Sequence, residues 1–421
     1  MSAPGPTDYR RENVMVDIEA ADRIATLDDD FFADPHAHYR VWREQGPVHR
    51  VRFPDGASRW VIVGYAEARA ALADPRLRKN ALRIEELLSA KRRTPPMSPQ
   101  WLALNTHMLN TDPPDHHRLR KLVNKAFTAR KVAELRPRVE QITAGLLDEM
   151  SAHDEVDLMA AFAVPLPVRV ICELLGIPFA DRDDFHDWTK ALVGVLGRDE
   201  ERARASVAMV SYLRELVRAK QDDPAEDLLS ALVHAREDDD RLTEAELVSM
   251  AFLLLVAGHE TTVNLIGNGV HALLRDRSQL DALRADPSAV PAAVEEFLRY
   301  DGPVDMATVR YTEESVRVGD TDIPAGELVY VALAAANRDA DRFRDPDVLD
   351  IDGDAGGHLA FGHGIHFCVG APLARMEASI AFTALLRRFP DLALASGAFP
   401  ARWQVSTLIR GLHELPVRLR R

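Results

Sequence analysis

The chain has 421 residues, of which 47% are hydrophobic and 28% are charged, a composition typical of a folded globular protein. Its 52 basic and 66 acidic side chains give a formal net charge of −14, which argues against general nucleic-acid binding, because that needs a basic face. No apolar run reaches the roughly 20 residues that cross a bilayer. The first 20 residues lack the apolar core of a signal peptide, so we expect a cytoplasmic protein without a membrane anchor.

In chain order, the first half of the sequence predicts mostly helices after a loose lead-in. We expect residues 1–30 to form that lead-in and residues 31–421 to form a single domain, mainly α with a small β portion. Turn residues, prolines and apolar periodicity give the predicted segments: a helix over 34–45, a strand over 57–64, an irregular stretch over 80–110 and mostly helices over 114–220.

The second half predicts one long helix, a few short strands and a last helix. Thr243 followed by Glu246 forms a capping box, and the helix that begins there is expected to run to about Leu274. Another helix contains residues 295–300. Short strands are predicted within 316–336, and a glycine-rich loop over 353–370 leads into a helix over 371–388.

The two cysteines lie in different contexts. Cys172 belongs to an apolar helical pattern and is expected to be a small buried side chain, whereas Cys368 lies in a loop rich in glycine. Glycines there would let the backbone approach a cofactor closely, and the helix that follows would favour a thiolate. With no second cysteine nearby, zinc or iron–sulfur ligation is poorly supported. A Cys–His nucleophile with His363 or His366 stays open as an alternative.

The long helix contains a segment with poor helix propensity around Gly258, Thr261 and Thr262. Such conflicts between local propensity and the surrounding pattern cluster at functional sites. We expect a local widening or kink that frees a carbonyl near Ala257 and makes room for a small ligand. The alternative is a threonine that bonds its own helix beside a glutamate facing solvent.

Four motifs in order give the sequence a resemblance to the cytochrome P450 family over residues 30–415. They are a segment at 112–120 with several basic residues, the small residue–Gly–x–acid–Thr pattern ending at Thr261, the Glu296-x-x-Arg299 pair, and the cysteine loop at 361–370. The resemblance implies the cytochrome P450 fold, with haem b between the oxygen-activating helix and the cysteine-loop helix. It also implies that Cys368 is the iron ligand, whose thiolate favours cleavage of the O–O bond.

The resemblance also implies roles for other residues. Glu260 and Thr261 would be the acid–alcohol pair that relays protons. The Glu296–Arg299 pair, with Arg338 as an extension of its network, would be structural. Ten residues would bind the cofactor: His116, Arg120, Ala257, Gly258, Arg310, Phe361, Gly362, His366, Cys368 and Gly370. Among them, His116, Arg120, Arg310 and His366 would bind its propionates.

The implied reaction is the hydroxylation or epoxidation of a bulky apolar small molecule, for which a macrolide or another polyketide is the expected class. By family analogy the pocket would draw on residues 81–108, 184–200, 253–257, 304–308 and 405–408. Electrons would come from NAD(P)H through a ferredoxin reductase and a ferredoxin, which would dock on the basic stretch between His116 and Lys131. We expect a monomer. The alternatives are a peroxide-driven peroxygenase, a non-catalytic haem sensor or ligand carrier, and a structural protein without haem.

Overall fold

The computed structural model describes residues 24–91, 97–178, 188–189, 191–192, 199–236, 240–396 and 400–420. Most of the predicted lead-in, residues 1–23, lies outside the described residues. The rest of it contains the first strand and the beginning of the first helix, and Phe31 and Phe32, just after it, are buried.

Helices account for most of the described chain, as the sequence predicts. The α-helices are α1 Asp29–Ala33, α2 Pro35–Gln45, α3 Tyr65–Ala73, α4 Ala81–Lys91, α5 Pro99–Asn105, α6 Asp115–Ala126, α7 Ala129–Glu134, α8 Arg136–Met150, α9 Pro165–Leu175, α10 Asp199–Asp222, α11 Leu228–His234, α12 Glu244–Arg275, α13 Arg277–Ala285, α14 Val290–Asp301, α15 Leu333–Ala336 and α16 Ala371–Arg388. The short 3-10 and π turns are Met108–Asn110, Met159–Ala163, Pro287–Ala289 and Gly364–His366.

The strands are short and form three small sheets. They are β1 Ala25–Thr26, β2 Val48–Arg52, β3 Ser58–Ile62, β4 Leu77–Arg78, β5 Glu155–Asp157, β6 Arg310–Thr312, β7 Val316–Val318, β8 Thr321–Ile323, β9 Leu328–Val331, β10 Ala393–Leu394 and β11 Pro416–Arg418. The largest sheet has the order β1-β2-β3-β9-β6-β4, in which β1–β2 and β3–β9 are parallel pairs. The others are β10-β11-β5 and the β7–β8 hairpin. The largest sheet places β6, and with it Arg310, beside the helical core.

Helix α12 is the central element of the core. It begins with the predicted capping box, since the Thr243 hydroxyl accepts from the Glu246 N–H and the Glu246 carboxylate accepts from the Thr243 N–H. It packs against α5, α9, α10, α14 and α16. By hydropathy alone this helix could cross a membrane, but 72% of its most apolar window is buried inside the protein, as in the core helix of a globular fold.

Two local predictions are wrong. Residues 80–110 are not irregular, because they contain α4 and α5; Ser98 caps α5 and Pro99 is its first residue. The widening expected in the long helix near Ala257 is also absent, since α12 is α-helical without interruption through Gly258. A kink at this point stays a prediction. At Gly258 the helix lies close to α9: a Cβ would lie 2.7 Å from Cδ1 of Ile171, so a larger residue would require the Ile171 side chain to move.

Candidate functional site

One internal cavity of about 460 Å³ brings together all twelve residues that the sequence predicts for the site. Its lining includes Cys368 and Gly370 from the cysteine loop and residues 256–258 and 260–262 of α12. Basic residues from α6, β6 and the loop before α16 line it as well. The cavity therefore joins segments that are up to about 250 residues apart in the sequence, as expected of a binding site assembled by the fold.

The cysteine loop owes its shape to two glycines with positive φ, Gly362 at 72° and Gly364 at 75°. A Cβ on Gly364 would lie 3.0 Å from the backbone of α3, so no larger residue fits there. The loop is closed by the Cys368 N–H, which donates to the Phe361 carbonyl at 2.9 Å. Helix α16 then begins at Ala371, with Pro372 in its first turn.

Cys368 lines the cavity and its side chain is accessible there, but the protein packed around it still desolvates the thiol. This burial raises the pKa of Cys368, because it disfavours the thiolate. The N–H groups of Gly370 and Ala371 donate to the sulfur and lower the pKa, as do the charges of Arg120 and Arg375. The loop thus supplies groups that stabilise a thiolate, while the pocket around it disfavours one. A cation bound next to the sulfur would offset that cost. Cys172, in contrast, is buried in the apolar core, as predicted.

A cluster of basic side chains lines one part of the cavity. His116 and Arg120 lie one turn apart on α6, and the His116 ring lies 4.3 Å from the His366 ring, centroid to centroid. Arg310 on β6 is buried, and burial lowers its pKa to about 10. The sequence predicts these four residues as propionate ligands. The structure adds Lys79, a fifth basic residue that sequence reasoning missed.

Lys79 is almost completely buried, and its Nζ donates to the Thr308 hydroxyl at 2.5 Å. Burial, reinforced by the charge of Arg310, holds the pKa of Lys79 well below its usual range, although Asp112 opposes this. The only sequence signal was a basic run at residues 76–79, which a solvated surface would explain equally well. Lys79 becomes part of the site because β4 pairs with β6 and brings it next to Arg310.

The two histidines of this cluster are neutral at physiological pH. Burial, followed by the neighbouring positive charges, lowers the pKa of His116 to about 4 and the pKa of His366 even further. Both ring nitrogens of His116 are buried without a hydrogen-bond partner among the described residues. Such orphaned donors are rare in folded proteins unless a ligand completes them.

These observations fit haem b. None of the described carboxylates forms an ion pair with Lys79, Arg120 or Arg310. The buried Lys79 and Arg310 and the partly buried Arg120 therefore face a cavity in which Glu260 is the one acidic residue among the described lining residues. The two propionates of a haem would supply the missing charge, and His116 and His366 would donate to them. A thiolate in the same cavity matches an axial ligand for the iron.

The helix wall of the cavity carries the predicted acid–alcohol pair. The Thr261 hydroxyl donates to the Ala257 carbonyl at 2.9 Å, which leaves its oxygen able to accept a second hydrogen bond. Glu260 lines the same cavity, and its Oε1 lies 3.3 Å from Nε2 of the buried His259. The hydroxyl is thus bonded to its own helix, as in the structural alternative, yet both side chains reach the cavity.

The rest of the cavity is mainly apolar, with polar side chains such as Asn105, His107 and Asn110 among its lining. The predicted pocket segments contribute Trp101, Leu253 and Val304, while of residues 405–408 only Leu408 lines it. Of the segment 184–200, Leu192 lines the cavity, and most of that segment lies outside the described residues. Other apolar side chains that line it include Ile171, Leu174, Leu228, Phe252 and Ile409.

Two predicted features lie outside the cavity. Glu296 and Arg299 form a buried bidentate pair with both distances at 2.7 Å, and Arg338 extends this region through the Tyr300 carbonyl and Asp347. In the basic stretch of α6, Arg118 forms ion pairs with Asp240 and Glu246. The charge of Arg118 therefore tethers α6 to the start of α12. Among the described residues, no group of three or more His, Cys, Asp or Glu side chains could hold a metal ion.

Comparison with known proteins agrees with this geometry. The family model "Cytochrome P450" matches residues 166–393. Cytochrome P450 107B1 of Saccharopolyspora erythraea is 56% identical, covering 95% of this chain and 98% of its own. The 6-deoxyerythronolide B hydroxylase of the same organism is 46% identical over 93% of this chain and 97% of its own. The structure of the tirandamycin C-bound P450 monooxygenase TamI superposes with a TM-score of 0.87 at 53% identity, covering 94% of this chain and 100% of that one.

Proposed function

Because the chain belongs to the cytochrome P450 family, it is a haem b-dependent monooxygenase, and we propose that Cys368 supplies the thiolate that binds the iron. The observation that carries the proposal is the single cavity shared by the Cys368 thiol, the buried cations and the α12 wall. Bound haem supplies the activation of dioxygen, of which one atom enters the substrate and the other leaves as water.

The first test is the carbon monoxide difference spectrum of the reduced, purified protein. A strongly red-shifted Soret band is expected for thiolate-ligated haem, and Cys368→Ser should lose that band while the protein still folds. A wild-type protein that is folded and loaded with haem but lacks the band would overturn the assignment of Cys368.

We assign proton delivery to Glu260 and Thr261. The reaction consumes two protons at the oxygen that leaves as water, and a hydroxyl beside a carboxylate can hold and pass them. The Thr261 oxygen can accept a hydrogen bond while its own O–H donates to the Ala257 carbonyl, so the side chain can position a water in the cavity. If the protein were instead a peroxygenase, peroxide alone would support turnover as fast as the complete electron-transfer system.

For the substrate we propose a bulky apolar secondary metabolite of the macrolide or polyketide type. The support is the apolar half of the cavity and the relatives named for 6-deoxyerythronolide B and tirandamycin C. Titration with a macrolactone such as 6-deoxyerythronolide B should shift the Soret band at micromolar concentration. A steroid that binds at least tenfold more tightly would contradict the proposed class.

The electron donors are proposed to be a ferredoxin and its NAD(P)H-dependent reductase, acting on a cytoplasmic monomer. The basic residues of α6 lie on the helix that carries His116 and Arg120, so an acidic donor docked there would be close to the cofactor. The test is Lys121→Gln, which removes one exposed basic charge of α6 and leaves the ion pairs of Arg118 with Asp240 and Glu246 intact. It should slow reduction by ferredoxin and weaken its salt dependence. Arg344→Gln, which removes a side chain that is 96% exposed, is the control.

A further inference from the structure

A single carboxylate on α14 links the two sides of the cysteine loop. Glu295 accepts two hydrogen bonds from Arg375, Nε to Oε1 at 2.6 Å and Nη2 to Oε2 at 2.7 Å. Its Oε2 also lies 3.1 Å from Nε2 of His358. Arg375 lies about one turn into helix α16, which follows Cys368, and His358 precedes the loop. Glu295 therefore holds both ends of the loop that presents the thiol.

The contacts of His358 fix its protonation. Its Nδ1 accepts from the N–H of Ala360 at 3.1 Å, so Nε2 carries the proton and donates to Glu295. Burial alone would raise the pKa of Glu295, but the hydrogen bonds from Arg375 and His358 lower it to about 2. Glu295 is consequently a carboxylate at every physiological pH.

Arg375 also acts on the thiol, both through space and through Phe361. Its guanidinium carbon lies 4.4 Å from the centre of the Phe361 ring. The Phe361 carbonyl in turn accepts the Cys368 N–H, so the stacked arginine fixes the residue to which the Cys368 backbone is bonded. Its positive charge stabilises the thiolate, and a negative charge at Cys368 stabilises the guanidinium.

The Glu295–Arg375 pair is separate from the pair that the next residue, Glu296, forms with Arg299. Glu296 and Arg299 are 3% and 4% exposed at their side chains, and the remaining donors of Arg299 go to main-chain carbonyls. Glu295 and Arg375 are 30% and 38% exposed; Arg375 stacks on Phe361 of the cysteine loop, and Glu295 contacts His358 just before it. The two consecutive glutamates thus bind different arginines: Glu296 binds Arg299 in the core, and Glu295 binds Arg375 beside the cysteine loop.

We propose that Glu295 and Arg375 are positioning residues that set the electron density on the Cys368 thiolate. Arg375 withdraws charge from the sulfur, and Glu295 limits that effect by neutralising the guanidinium and holding it over Phe361. The inference rests on the proposed role of Cys368 as iron ligand. It predicts effects of opposite sign from the two partners, which a merely structural ion pair would not give.

The test is the midpoint potential of the ferric–ferrous couple in the purified holoenzyme. Glu295→Gln leaves a positive charge near the sulfur and should raise the potential, because reduction adds an electron. Arg375→Gln leaves the negative charge and should lower it. Since the pair is partly exposed and screened, we expect about a tenfold change in the equilibrium constant for reduction in each case, which is 59 mV for one electron. The double variant should return close to the wild-type value.

Arg388→Gln is the matched control. Arg388 belongs to the same helix α16 and pairs with Asp148 at 2.9 Å, so its loss removes an ion pair without touching the loop. Arg375→Lys keeps the charge but not the bidentate geometry, and it should shift the potential less than Arg375→Gln. Shifts of the same sign in both single variants, or shifts no larger than that of the control, would overturn the inference. Each variant should keep the red-shifted carbon monoxide band, which shows that Cys368 still binds the iron. If the wild-type protein lacked that band, the assignment of Cys368 itself would fail, and the potentials would not be needed to show it.

Discussion

Arg299 and Arg310 are both buried arginines, 4% and 3% exposed, yet their surroundings are opposite. Arg299 has a bidentate carboxylate and main-chain carbonyls for its remaining donors. Arg310 has one long hydrogen bond, 3.4 Å to the Thr308 carbonyl, and no ion pair among the described residues. Because a buried charge is costly unless it is paired, the first arginine is completed by the chain itself and the second by a molecule that the chain must bind.

The largest expected effect would break the complete pair. Glu296→Gln leaves Arg299 buried without a counter-charge, which should lower the free energy of unfolding by about 3–5 kcal/mol. Thermal or urea denaturation of the haem-free protein measures this loss. Glu244→Gln is a suitable control, because the Arg214 and Arg218 pairs of Glu244 are exposed and should contribute less than about 1 kcal/mol. A loss below 1 kcal/mol for Glu296→Gln would show that this pair does not stabilise the core.

The next effect concerns chemistry rather than stability. Thr261→Ala removes the hydroxyl that lines the cavity beside Ala257, and we expect product formation to fall about 100-fold, the lower range for losing a positioned proton donor. NAD(P)H oxidation should continue, so the ratio of product to NAD(P)H is the quantity to measure. Thr261→Ser should restore most of it. An unchanged ratio in the alanine variant would assign Thr261 to the structure of α12 alone.

A smaller effect tests the incomplete end of the comparison. Arg310→Gln and Lys79→Gln should each weaken haem retention about tenfold to a hundredfold, since a hydrogen bond to a charged group contributes ~1.5–3 kcal/mol. Transfer of haem to apomyoglobin measures this rate. The haem-free variants should be as stable as the wild type or more so, because a buried unpaired charge has been removed. A haem-free Arg310→Gln protein destabilised as strongly as Glu296→Gln would remove the distinction between the two arginines.

Local rules in the sequence predicted the features that depend on a few neighbouring residues. The capping box at Thr243, the glycine turns before Cys368 and the helix after it follow from backbone chemistry within about ten residues. Proline misled the prediction for 80–110, because Pro99 begins a helix that Ser98 caps rather than ending one.

The features that the sequence did not predict depend on contacts between distant segments. Strand β4 has two residues and exists because β6 pairs with it, and that pairing brings Lys79 into the cavity. The contacts of Glu295 with Arg375 and His358 span 80 and 63 positions. No sequence periodicity predicts contacts between residues so far apart along the chain. Charged residues of this kind therefore look like exposed surface residues until the fold is known.

A pH-dependent effect comes from a second pair of buried acids with different partners. Asp301 lies 3.1 Å from His36 and 3.5 Å from Arg410, whereas Asp305 accepts hydrogen bonds from the Tyr39 hydroxyl and has no ion pair among the described residues. Burial would raise both pKa values. Arg410 and His36 hold the pKa of Asp301 well below its usual range, but the pKa of Asp305 rises to about 7.

Asp305 therefore binds a proton in the folded protein between about pH 4 and pH 7, where the unfolded chain does not. Its contribution to stability is fully present below pH 4 and is lost as the pH rises toward 7, with a slope of at most about 1.4 kcal/mol per pH unit. Asp305→Asn should remove this slope. The measurement is the difference in unfolding free energy between variant and wild type from pH 5 to pH 8, in which histidines common to both proteins cancel. A difference that does not change with pH would mean that Asp305 stays ionised in the core, so that the Tyr39 hydroxyl alone satisfies a buried carboxylate.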